Sequence, residues 1–179
     1  MRRKKRPAMP GVSEDVAAMI RVDHAGEYGA VRIYEGQLAV LGNRKSETAD
    51  AIRKMAEQEH LAAFDRLVNE RRVRPTALEP VWRVAGFALG AATALMGEKA
   101  AMACTAAVEE VIDQHYGQQI EKLDGDPELK ESVEKFRADE IAHKNEALER
   151  GAEEAPAYKL LSETIKVGCR LAIKLSERI

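Results

Sequence analysis

At 179 residues, 45% of them hydrophobic and 32% charged, the chain can bury the core of one domain or two small ones and is too apolar to be disordered. Aromatic residues make up only 4%, with 12 Gly and 6 Pro, which is the composition of long helices and not of a β-sandwich or barrel. Lys and Arg number 28 against 30 for Asp and Glu, and a net charge of −2 leaves no electrostatic footprint for nucleic acid.

A basic run from Arg2 to Arg6 comes first, but Pro7 and Pro10 follow it where a secretory signal would carry an apolar segment. Residues 1–12 therefore read as a basic tail ahead of one domain over 13–179. The first helix is expected from Ser13, whose hydroxyl can cap free amides while Glu14 and Asp15 face the positive end of the dipole, to Gly42-Asn43. A second, with Ile52, Met55, Leu61, Phe64 and Leu67 on one face, is expected from Ser46 to a point before Pro75. A third runs from about Pro80 to Leu123, broken or kinked near Gly97, and a fourth from Asp126-Pro127-Glu128 to Gly151. A fifth follows Pro156. Short connections make consecutive helices antiparallel neighbours, so the expected fold is all-α, a four-helix bundle with an additional C-terminal helix. Val84 to Gly97 holds no charged residue but is shorter than the roughly 18 to 20 apolar residues a spanning helix needs. It reads as a core or ligand-facing helix, with a dip into a bilayer surface as the alternative. Cys104 and Cys169 lie 65 residues apart without a C-x-x-C pattern, and neither a disulfide framework nor a thiolate metal site is indicated.

The chemistry lies in two E-x-x-H segments, Glu57 to His60 and Glu140 to His143, each of which places a carboxylate and an imidazole on one helix face. One such pair is weak evidence, because the chain is rich in Glu. The set gains weight from a mid-helix glutamate ahead of each: Glu27 precedes Glu57 by 30 residues and Glu109 precedes Glu140 by 31. Tyr34 and Gln37 stand seven and ten residues after Glu27, as Tyr116 and Gln119 do after Glu109, so the chain reads as internally duplicated. At about 1.5 Å per residue, Glu27 and Glu57 lie about 22 and 17 Å from their shared loop, and the second hairpin matches. Four carboxylates and two imidazoles then converge in one layer of the bundle.

A Glu from each of two helices with an E-x-x-H from each of two others is the di-iron or di-manganese set of ferritin-like bundles. Four buried carboxylates need counter-charge, which two divalent ions supply. Asp139, four residues before His143, is placed to accept the imidazole N–H that faces away from the metal. Ala56 holds the matching place in the first repeat. Tyr34 and Tyr116 are either core residues or relays for electrons or protons. His24 and His115 lack the E-x-x-H spacing, and Cys104 sits in the apolar run Ala100 to Val108 as a core residue.

On these residues the chain resembles the demethoxyubiquinone hydroxylase family of ubiquinone biosynthesis. The carrying segments are Arg21-Val22-Asp23-His24-Ala25-Gly26-Glu27-Tyr28-Gly29-Ala30, Phe87-Ala88-Leu89-Gly90-Ala91, Ala101-Met102-Ala103-Cys104-Thr105 and Leu175-Ser176-Glu177-Arg178-Ile179. The resemblance implies that Glu27, Glu57, His60, Glu109, Glu140 and His143 are the ligands of two Fe ions per chain, with Glu57 and Glu140 bridging, and that His115 and Tyr116 form a His-Tyr pair beside them. It implies O2-dependent ring hydroxylation of a polyprenyl demethoxyquinol by a protein peripheral to a membrane, at the cytoplasmic face in a bacterium or the matrix face in a mitochondrion. An accessory protein of the same biosynthesis is a further candidate partner. The sequence has no G-x-G-x-x-G or P-loop, so electrons come from an external donor or from the quinol itself. The rival reading is a ferritin-like iron-binding protein that oxidises Fe(II) without an organic substrate.

Two further expectations concern surfaces. Phe87, Gly90 and Leu95 are expected to line the substrate path, since small residues let a ring approach the backbone. Lys166, Arg170, Lys174 and Arg178 recur every four residues as a cationic stripe, with Leu161, Ile165, Ala172 and Leu175 largely apart from it, and the stripe is expected to hold the last helix in a headgroup layer.

Overall fold

A computed structural model describes residues 12–43, 45–56 and 59–179. The basic run Arg2 to Arg6 and the candidate ligand Glu57 lie outside the described residues. Those described form seven α-helices and one short 3₁₀ turn, with no strand: α1 (Glu14–Leu41), α2 (Glu47–Ala56), α3 (His60–Glu70), α4 (Glu79–Leu95), α5 (Glu98–Ile120), α6 (Pro127–Glu149), the turn Ala152–Glu154, and α7 (Tyr158–Ser176). The expected caps are present, with Ser13 Oγ accepting from the Val16 amide at 3.1 Å and Asp126 Oδ1 from the Leu129 amide at 3.3 Å.

Two expected helices are each described as two. The second is α2 and α3, on either side of residues 57–58. The third breaks at Gly97, whose φ of 121° lies in the left-handed region that glycine adopts without a Cβ penalty.

The central helix is α5, buried on every side from Ala100 to Glu109 because its alanines let neighbours close in around it. Against it pack α6 and α7, while α1 packs on α2, α3 and most extensively on α4. The α1–α4 contact is backbone to backbone: a β-carbon at Gly90 would stand 2.0 Å from the Ile33 carbonyl oxygen, and one at Gly36 2.1 Å from that of Phe87. Gly90 is therefore small for helix packing and not for a substrate, which corrects its expected place on a substrate path.

Three apolar clusters fill the bundle, and two of them flank the candidate ligands. One holds Tyr34, Leu41, Ile52, Met55 and Met102, and the other Ile20, Phe64, Tyr116, Leu129, Val133 and Phe136. On α1, α5 and α6 the candidate ligands Glu27, Glu109 and Glu140 fall between the segments that supply these clusters. No helix among the described residues is long and apolar enough to cross a membrane. Gly90→Val is expected to force α1 from α4 and lower stability by about 1–3 kcal/mol in denaturant unfolding; an unchanged midpoint would contradict the close contact.

Candidate metal centre

Glu27 comes from the middle of α1, Glu109 from the middle of α5, His60 from the first turn of α3, and Glu140 and His143 from one face of α6. All five are buried, Glu109 to 1% exposure. Ligand atoms of Glu27, His60 and Glu140 lie within 4.8 Å of one another, and so do those of Glu109, Glu140 and His143. Glu140 belongs to both groups and divides its oxygens between them: Oε1 lies 2.9 Å from His60 Nδ1 and Oε2 2.9 Å from His143 Nδ1.

The two halves are laced together crosswise. The Tyr34 hydroxyl of α1 donates to Glu109 Oε1 of α5, and the Tyr116 hydroxyl of α5 donates to Glu27 Oε1 of α1 at 2.5 Å. One turn further on, Gln37 Nε2 of α1 reaches Thr105 Oγ1 at 3.3 Å and Gln119 Nε2 of α5 reaches Asp23 Oδ1 at 2.7 Å. Asp23, Glu27, Tyr34 and Gln37 each precede their α5 counterparts by 82 residues, so the duplication read in the sequence reappears as a two-fold arrangement of contacts. Both tyrosines are thereby tied to the site and are more than core filling.

Burial sets the electrostatics. It pushes Glu27 above the usual carboxylate range and Glu109 far above it. Burial also opposes a charge on His60, but hydrogen bonds to Glu140 and Glu27 outweigh it and lift the pKa to about 10. For Glu140, burial acts upward too, yet its contacts with His143, His60 and Glu109 hold it at about 2. Burial likewise lifts both tyrosines well above the ordinary phenol value. Without ions, burial thus favours the neutral form of both outer carboxylates, and the hydrogen bonds of His60 favour its imidazolium.

The donor set fits divalent cations. Glu109 Oε2 is buried with no hydrogen-bond partner, and no Lys or Arg is among the described residues lining the gap between the carboxylates. That gap is about 20 Å³, room for ions and not for an organic ring.

One further candidate falls differently from expectation. Asp139 does not serve His143: its Oδ2 lies 3.0 Å from Nε2 of His60, because α6 turns position 139 toward α3. His115 Nε2 faces Asp23 Oδ1 at 3.2 Å, and His24 Nε2 faces Asp65 Oδ1 at 2.9 Å. Cys104 is fully buried, with burial lifting its thiol to about 12, as suits a core residue.

The residues give no periodic signal for the second feature, an apolar cavity of about 420 Å³ between α1, α4, α5 and α7. Gly26, Gly29 and Ala30 line one wall, Trp82, Gly86 and Leu89 another, and Ala30 also borders the gap between the carboxylates. Space over Gly26 and Gly29 is open where a β-carbon would stand. Phe87 and Leu95 point instead to the exterior. The lone tryptophan was the available clue, and its indole N–H donates to Ser176 Oγ at 3.0 Å, joining α4 to α7 beside the cavity. The cationic stripe is incomplete, since Lys166 turns inward to Glu110 at 2.9 Å.

Comparison with known proteins gives a consistent picture. Residues 14–176 match the family model described as ubiquinone biosynthesis protein COQ7. The chain is 54% identical over 177 residues to the Rhodospirillum rubrum protein named 3-demethoxyubiquinol 3-hydroxylase, covering 97% of this chain and 82% of that one. It is 53% identical over 171 residues to the Homo sapiens protein named NADPH-dependent 3-demethoxyubiquinone 3-hydroxylase, mitochondrial, covering 92% and 78%. With the Saccharomyces cerevisiae protein named 5-demethoxyubiquinone hydroxylase, mitochondrial, identity is 40% over 179 residues, covering 90% and 77%.

Because a cation competes with the proton on His60, whose pKa is lifted to about 10, affinity is expected to rise with pH, by about tenfold per unit for each proton released. Mn(II) titrations between about pH 6 and pH 8 check this; an affinity independent of pH would contradict the proton inventory.

Proposed function

This chain belongs to the COQ7 family of ubiquinone biosynthesis proteins, and we propose that it is a di-iron monooxygenase that hydroxylates the ring of a polyprenyl demethoxyquinol with O2. The observation that carries the two-ion reading is Glu140, whose two oxygens each face a different histidine. Glu27 and His60 would hold one ion and Glu109 and His143 the other, with Glu140 shared and Glu57 as the second bridge. Oxygen-rich ligands with one imidazole per ion suit iron. When bound, the ion pair supplies electrons and oxygen activation.

The chain's own residues do the rest. Tyr34 and Tyr116 fix the outer carboxylates by hydrogen bonds from the opposite half, and the apolar clusters keep bulk water from the layer. The gap between the carboxylates is too small for a ring, so the quinol ring would lie in the neighbouring apolar cavity, over Gly26 and Gly29 and against Ala30, which borders both spaces. Electrons come from outside the chain. The Homo sapiens relative's name includes NADPH dependence, and a pyridine-nucleotide donor is the reading favoured here.

The prenyl tail would leave between α4 and α7 into a membrane surface. Both helices carry large apolar side chains outward, Val84 69%, Leu95 76%, Leu160 72% and Val167 61% exposed. Such surface suits a peripheral protein whose anchor is apolar, in place of the stripe that Lys166 interrupts. The membrane would be the inner mitochondrial or the bacterial cell membrane, according to source.

A single turnover of ferrous protein with O2 and demethoxyubiquinol is expected to give the hydroxylated quinol, while Glu140→Ala is expected to lose both ions and all product. Iron oxidation without product would instead favour the iron-oxidising alternative. In flotation with vesicles, the protein is expected to float and to lose most of that binding on Leu160→Glu/Val167→Glu substitution, whereas Lys166→Gln leaves it; the reverse would restore the cationic anchor.

A further inference from the structure

The duplication makes each feature of one half comparable with its counterpart in the other. Glu27 and Glu109 correspond, as do His60 and His143, and each outer carboxylate receives a tyrosine from the opposite half. The symmetry fails behind the histidines. His60 Nε2 lies 3.0 Å from Asp139 Oδ2, and its ring packs on Phe136 with centroids 4.4 Å apart. Both props come from α6. The residues that correspond to them lie 83 positions earlier: Ala56, which has no side-chain acceptor, and Arg53, whose Nη1 is engaged by Asp50 Oδ1 at 2.5 Å. Among the described residues, the only hydrogen-bond partner of His143 is Glu140.

We propose that the two ion positions are inequivalent, and that Asp139 is the positioning residue that makes the His60 position the tighter one. The inference rests on the two-ion reading above. With Nδ1 toward the shared carboxylate, His60 keeps its remaining N–H on Nε2 and donates it to Asp139. That bond fixes the tautomer and the ring's angle and raises the basicity of the ligating nitrogen. Phe136 restricts the same ring from its face, so little ring freedom is left for an ion to remove. Among the described residues His143 has neither restraint, and it loses more freedom on ligation. Ions of one kind should therefore enter one after the other, the His60 position first.

The test is an anaerobic Co(II) titration of the metal-free full-length protein, followed by visible absorption and by competition with a chelator. Two ions are expected to bind in resolved steps at least about tenfold apart. Asp139→Asn should weaken the first step by about 10- to 100-fold, change the spectrum of the first-bound ion, and leave the second step and the total of two unaltered. Asp139→Glu should restore the tight step and its spectrum. Two equivalent ions in the unsubstituted protein, or an Asp139→Asn protein in which both steps weaken alike, would overturn the inference while leaving the two-ion centre intact. Failure to bind a second Co(II) at all would overturn that centre as well.

Discussion

Carboxylates buried around a gap that no described Lys or Arg lines are the constraint on which the rest of this structure depends. Glu27, Glu109 and Glu140 sit in a layer between two apolar clusters. Removing one unpaired charge from water costs several kcal/mol, so the layer survives only if its charge is neutralised. Burial pushes Glu27 and Glu109 toward their neutral forms in the absence of ions, and hydrogen bonds to Glu140 and Glu27 favour a proton on His60. Divalent cations would neutralise the layer too, and would also satisfy the unpartnered Glu109 Oε2.

That requirement explains how the helices are used. Each outer carboxylate is held by a tyrosine from the other half, so α1 and α5 are joined across the site and neither ligand can swing without moving the opposite helix. The opposite flank of the same two helices is apolar and opens onto the cavity under α4 and α7. Small residues, Gly26, Gly29 and Ala30, line the apolar space on this side, and Ala30 also borders the gap between the carboxylates. Mid-helix glycine costs about 1 kcal/mol relative to alanine, and at Gly26 and Gly29 no packing contact demands it. Room in the cavity is the physical return for that cost. Gly36 and Gly90 answer a different need, the backbone contact of α1 with α4.

Much of this was legible in the residues. The repeated Glu, Tyr, Gln and E-x-x-H spacings located the polar layer, and helix arithmetic placed it at one height, because rise per residue is fixed whatever the tertiary context. Contacts between helices were less legible. Asp139 was assigned to its own helix neighbour, His143, since sequence spacing reports faces and not which facing helix a side chain meets; it meets His60. Gly90 carried the same ambiguity, as smallness suits a ligand or a neighbouring backbone equally. The apolar cavity, assembled from four helices, leaves no periodic trace in any one of them.

The central claim is that Glu140 joins two ions in one buried layer. Anomalous diffraction from crystals of the iron-loaded protein tests it most directly. The account predicts two iron peaks per chain, about 3.5–4 Å apart, one beside each oxygen of Glu140. A single peak at full loading and activity, or two peaks with Glu140 touching only one, would contradict it.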